Sequence, residues 1–148
     1  MKYFLLSLAF YCLSFALDVC LKPIENPYTE PYLDFALRKT LEKALLESGH
    51  KLACFPSSLE LTPYVKLLRE TPIAYSPNQR VSAYNLELSV ALRTKDAERS
   101  FSVVVPYSLP TGALGSLPRR KAIDDALGII YTDILEYLRK EVSHADKH

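Results

Sequence analysis

Three histidines, three cysteines and a few runs of adjacent charge are the side chains in this 148-residue sequence that could do chemistry. The histidines are His50, His144 and His148, and the last two stand in a polar C-terminal tail of the kind that frays and holds no fixed geometry. A metal site of ordinary spacing would need an HExxH helix, paired CxxC units or an EF-hand loop, and the sequence contains none of these. Gly112 and Gly115 occur in Thr-Gly-Ala-Leu-Gly, which lacks both the phosphate-loop lysine and the dinucleotide glycine pattern, so it reads as a loop. Asp124-Asp125 could serve as acid and base, but neighbours on a helix point in different directions. Their place near a helix start is explained by the dipole alone. With no GxSxG elbow either, the expectation is a protein that is not an enzyme and carries neither metal nor cofactor.

Two cationic groups remain. Arg93, Lys95 and Arg99 surround one polar loop, and Arg119-Arg120-Lys121 open a segment of helical periodicity, where positive charge meets the positive end of the helix dipole. Either could be solvated surface or a site for an anion. The chain as a whole is balanced, with 18 Lys plus Arg against 17 Asp plus Glu, which argues against phosphate-backbone binding and hence against nucleic acid as a partner. Ten tyrosines suit half-buried strand faces and interfaces.

The chemistry of the cysteines depends on compartment. Met1 to Ala16 has one early positive charge, Lys2, then an apolar run ending in Ser14-Phe15-Ala16, which is the anatomy of a secretory leader. We therefore assign residues 1–16 to a signal peptide and residues 17–148 to one exported domain. A lipoprotein leader ends with a small residue directly before its cysteine, whereas Cys20 follows Asp18-Val19 and Cys12 follows Tyr11. After export, Cys20 and Cys54 enter a compartment where disulfides persist. Cys20 can be lipidated, bridged to Cys54 or free, and spacing alone does not decide among these.

The elements that must position these residues follow from periodicity. Asp18 to Ile24 reads as a short strand, limited by Pro23. Thr29 is the expected cap of a helix with Pro31 in its first turn, an apolar face of Leu33, Leu37, Leu41, Ala44 and Leu45, and a stop at Gly49. His50 to Phe55 is a second short strand. Leu59 to Tyr75, interrupted by Pro63 and Pro72, is a long kinked strand carrying Leu61, Val65, Leu67 and Ile73. Tyr84, Leu86, Leu88, Val90 and Leu92 alternate with smaller or polar residues, and Phe101, Val103, Val105 and Tyr107 do the same after the Thr94–Glu98 loop, so the two form a hairpin. Ser116 and Pro118 announce a last helix whose apolar face includes Ile123, Ala126, Leu127, Ile130, Ile134, Tyr137 and Leu138. The sum is an α+β two-layer sandwich, with two amphipathic helices on one face of a four- to five-stranded mixed sheet.

In this order the segments resemble the LptE family of lipopolysaccharide-assembly lipoproteins. Val19-Cys20-Leu21-Lys22-Pro23-Ile24 with Glu25-Asn26-Pro27-Tyr28 is similar to the family's opening strand and turn. Thr71-Pro72-Ile73-Ala74-Tyr75-Ser76-Pro77-Asn78-Gln79-Arg80-Val81-Ser82-Ala83-Tyr84-Asn85-Leu86-Glu87-Leu88-Ser89-Val90 resembles its long strand, turn and following strand. Ala126, Ile130, Tyr131 and Ile134 fall as in its closing helix. The resemblance implies a non-enzymatic protein of the periplasmic face of the outer membrane. Its partners would be an LptD-like β-barrel, which it plugs, and lipopolysaccharide, whose lipid phosphates Arg93, Lys95 and Arg99 would meet. The competing expectation is an unrelated periplasmic α+β module that binds a small ligand or another protein.

Overall fold

The segments of period two are strands and those of period 3.6 are helices. The computed structural model describes residues 17–110 and 117–145, with side chains up to residue 140. The assigned leader, Gly112, Gly115, Ser116 and His148 lie outside the described residues. The described chain runs β1 (Asp18–Leu21), α1 (Pro31–Glu47), β2 (Lys51–Leu52), β3 (Leu59–Tyr75), β4 (Val81–Arg93), β5 (Glu98–Ser108) and α2 (Leu117–Ala145). The strands form one five-stranded sheet in the order β2-β1-β3-β4-β5. β1 is parallel to both its neighbours, and β3, β4 and β5 are antiparallel, so the sheet is mixed.

Local chemistry sets the ends. Pro23 has no amide hydrogen, so the β1 ladder stops at Leu21, although Lys22 N–H and Glu25 N–H still reach Leu61 and Pro63 carbonyls at 2.9 Å each. The α1 cap is Glu30 and not Thr29, and no side chain caps the first turn. Asn26 has taken over the ordering of this turn: its Oδ1 accepts from Tyr28 N–H at 2.9 Å and its Nδ2 donates to Asp34 at 2.8 Å. Gly49 ends α1 with φ of 87°, a left-handed conformation that glycine adopts without a Cβ penalty. The second strand is shorter than expected, because only Lys51 and Leu52 pair with β1 before Pro56 ends the segment.

Sheet register decides which residues reach the core. Leu86, Leu88, Val90 and Leu92 of β4 are buried, facing the helices, and stand opposite Val105, Val103, Phe101 and Arg99 of β5. In β3 the register shifts between Val65 and Leu67, so Leu68 becomes the buried residue and Leu67 does not. Further irregularities at Pro72 and Ala74 leave Ile73 exposed. Leu67 and Ile73 thus stay outside the buried set, because a strict period of two does not survive bulges.

Both helices pack on the same face. Leu33, Leu37, Leu41 and Leu45 of α1 and Ile123, Ile134 and Leu138 of α2 are fully buried with Val19, Leu61 and the β4 leucines. Each such side chain stabilises the fold by about 1.5–3 kcal/mol before entropy is counted. The helices run in the same direction, since Glu30 meets Arg119 near their starts while Glu47 meets Tyr131 and Arg139 toward their ends. The far face of the sheet is open and polar: Arg69 pairs with Glu87, Ser102 donates to Ser89 at 2.9 Å, and Val104 is exposed.

Candidate functional site at the hairpin tip

β4 and β5 carry the cations of the hairpin to one end of the sheet. The connection is tight, with Thr94 N–H donating to the Ala97 carbonyl at 2.8 Å and the Thr94 hydroxyl reaching the same oxygen at 3.3 Å. Arg93 is the last β4 residue and pairs in register with Glu98, so its guanidinium meets that carboxylate at 3.3 Å on the open face. The same guanidinium lies 5.4 Å from the Tyr64 ring centre, a cation–π contact. Lys66 approaches Glu98 as well, at 3.7 Å. Lys95 sits exposed at the tip and makes no ion pair among the described residues.

Arg93 and Lys95 line a recess of about 410 Å³ together with Pro56, Ser57, Ser58, Leu59, Glu60, Thr62 and Thr94. Glu60 is partly neutralised by Lys22 at 3.3 Å. Such a recess presents one free ammonium and one shielded guanidinium to an incoming anion. Arg99 is not part of it. Its register partner is Leu92, which places it on the helix face, beside Asp133, Glu136, Tyr137 and Lys140 of α2. There a hydrogen bond and charge from Lys140, with a smaller contribution from Arg99, hold the Glu136 carboxyl below its ordinary range. The structure thus joins two of the three hairpin cations in one recess and sends the third through the sheet.

The second cationic group is internally occupied. Arg119 reaches Glu30 at 2.9 Å and Glu70 at 2.5 Å, clamping the starts of both helices to β3. Arg120 lies 5.1 Å above the Tyr32 ring, and Lys121 pairs with Asp125 at 3.3 Å. Tyr107, packed beside this cluster, has its hydroxyl raised well above the ordinary range by burial first and by Glu70 second. Glu30, Glu70 and Tyr107 were not legible as a group, because the three are distant in sequence and only β3 register turns Glu70 toward the helices. Asp124 likewise accepts both contacts from the Tyr32 hydroxyl, at 2.7 and 2.8 Å.

The remaining reactive groups are structural. Cys20 and Cys54 form a disulfide, with Cα atoms 4.5 Å apart, tying β1 to the segment after β2. His50 is buried; its Nδ1 accepts from Leu17 N–H at 3.3 Å and its Nε2 lies 2.8 Å from the Leu138 carbonyl, a pairing that puts the ring proton on Nε2. Among the described residues, no three His, Cys, Asp or Glu side chains are grouped to hold a metal ion. No described helix is long and apolar enough to cross a membrane.

No protein-family model matches this sequence. An uncharacterised protein of Aquifex aeolicus (strain VF5) is 40% identical over 141 residues, covering 95% of this chain and 96% of its own length. The chain belongs to that protein's family. Among solved structures, a Xanthomonas campestris protein described as DUF330 superposes with a TM-score of 0.59 at 12% identity, over 90% of each chain, so it shares this fold. Two bacterial lipoproteins overlap more loosely. The minor lipoprotein of Acinetobacter baumannii gives a TM-score of 0.49 at 15% identity, over 82% of this chain and 92% of its own. The rare lipoprotein B of Shewanella oneidensis gives 0.44 at 9% identity, over 87% and 96%. This chain thus shares its α+β fold with the Xanthomonas protein at very low identity.

Proposed function

We propose that this chain is a non-enzymatic component of the bacterial cell envelope, acting at the periplasmic face of the outer membrane. In this reading it docks into an LptD-like β-barrel and helps to place lipopolysaccharide. The observation that carries the proposal is the hairpin tip, where Lys95, which has no acid partner among the described residues, stands beside Arg93 at the rim of an open recess. Ammonium and guanidinium groups on a rigid loop suit phosphate headgroups through charge-assisted hydrogen bonds. The export leader read from residues 1–16 and the Cys20–Cys54 bridge, which persists in oxidising compartments, agree with an envelope location. Cys20 is engaged with Cys54, so attachment of lipid at Cys20 is not part of the proposal.

The test is capture on immobilised lipopolysaccharide. Lys95→Glu combined with Arg93→Gln should weaken capture by about tenfold or more, and by more at low salt than at high salt. Arg99→Gln, on the other face, should have a smaller effect. Equal capture of all variants would remove the tip from the proposal, and failure of the full chain to co-purify with any outer-membrane β-barrel would remove the docking role.

A further inference from the structure

A second concavity lies on the helical layer and has no part in the hairpin reading. Between α1 and α2 a half-open groove of about 400 Å³ is floored by Ala36, Leu127 and Gly128 and walled by Phe35 and Lys39. Phe35 is 64% exposed, although it stands on a helix that buries four leucines elsewhere. Gly128 is the bare spot of α2. A Cβ placed there would meet nothing within 4 Å, so helix–helix packing does not require the glycine. An interior helical glycine costs about 1 kcal/mol relative to alanine, and here it leaves open space above the backbone.

A phenol bonded to a carboxylate stands at each end of the groove. At one end the Tyr32 hydroxyl donates to Asp124 and Arg120 covers the Tyr32 ring. At the other, the Tyr131 hydroxyl donates to Glu47 and Lys43 lies 5.0 Å over the Tyr131 ring. The two carboxylates are thus engaged by phenols. Lys39, between the ends, has no acid partner among the described residues, and Lys43 is only 3.9 Å from Glu47. The groove combines an apolar floor, aromatic walls and a surplus of positive charge. From Tyr32 to Lys43 it spans roughly 16 Å at helical rise. The volume falls in the range of small-ligand sites, about 300–1,000 Å³.

We propose that this groove binds a single-chain anionic amphiphile of the fatty-acid class. Its carboxylate pairs with Lys39, and its hydrocarbon lies along Phe35, Leu127 and the exposed backbone at Gly128. Calorimetric titration of the full chain with dodecanoate, below its micelle concentration, tests this. Dodecanoate should bind with one-to-one stoichiometry and dodecyltrimethylammonium at least tenfold more weakly. Gly128→Leu, which fills the groove while favouring the helix, and Lys39→Glu should each weaken dodecanoate binding about tenfold, whereas Arg69→Gln, on the far face of the sheet, should leave it unchanged. Circular dichroism of Gly128→Leu confirms that the fold is retained. Equal binding of the cationic amphiphile, full binding by Gly128→Leu, or binding of an acidic amphipathic peptide with no binding of dodecanoate would overturn the proposal.

Discussion

Arg119 stands at the start of α2 with a carboxylate on either side, and this arrangement is where a single side chain does most to hold the layers together. Its partners Glu30 and Glu70 have side chains 15% and 23% exposed, so they are neither fully solvated nor fully dry. Arg119→Ala leaves two acids facing one another across the gap, and should cost about 2 kcal/mol, between the exposed and buried ion-pair ranges. Urea unfolding measures this, and adding Glu70→Gln should recover part of the loss. Tyr131 gives a prediction in pH. Burial and the hydrogen bond to Glu47 raise its hydroxyl from 10.0 to about 12 in the folded protein. Because the folded state holds this proton more tightly, the associated stability is complete below pH 10 and is lost as pH rises toward about 12. Titration of phenolate absorbance should show a step near pH 12 that Tyr131→Phe removes, with a still later step remaining from Tyr107.

At the scale of elements, periodicity carried most of the fold. The alternation from Tyr84 to Leu92 and from Phe101 to Tyr107 identified β4 and β5, and the leucine spacing of α1 identified its buried face. The bounds of β3 agree with the expected Leu59 to Tyr75 despite two prolines. What periodicity could not carry was the bulge at Val65, which exchanges Leu67 for Leu68, since one extra residue leaves no mark in composition. The hairpin cations illustrate the same limit. Arg93 and Arg99 are close in sequence, yet Arg93 follows Leu92 on β4 and so takes the opposite face, whereas Arg99 is the cross-strand partner of Leu92 on β5 and shares its face. The disulfide belongs to this scale, because it closes a loop containing all of α1. For the 34-residue separation of Cys20 and Cys54, the loop-entropy relation gives about 3–4 kcal/mol. Reduction, or the double change Cys20→Ser with Cys54→Ser, should lower stability by about that amount. Amide exchange should then quicken in β1 and β2 more than in β4 and β5.

For the molecule as a whole, the two-layer architecture was legible and the candidate sites were legible only in part. A helix pair covering one side of a mixed sheet follows from two amphipathic segments and a hairpin. The groove between the helices was not legible, because Tyr32, Lys39 and Gly128 are ordinary surface residues until α1 and α2 are laid side by side. The internal role of Arg119 was hidden for the same reason: its partners sit on α1's cap and on β3.

The placement of β1 bears on how the chain comes together during synthesis. β1 is the first described element to leave the ribosome, yet it is hydrogen-bonded on one side to β2 and on the other to β3. Neither partner exists until residues 51–61 have been made, so the opening segment must wait, unpaired, while α1 is translated. The later strands need no such delay, since β3, β4 and β5 follow one another as nearest neighbours. β1 can therefore be sealed between β2 and β3 once residues 51–61 are present, before β4 and β5 have been made, and its ladders, unlike those of the hairpin, must reach across all of α1.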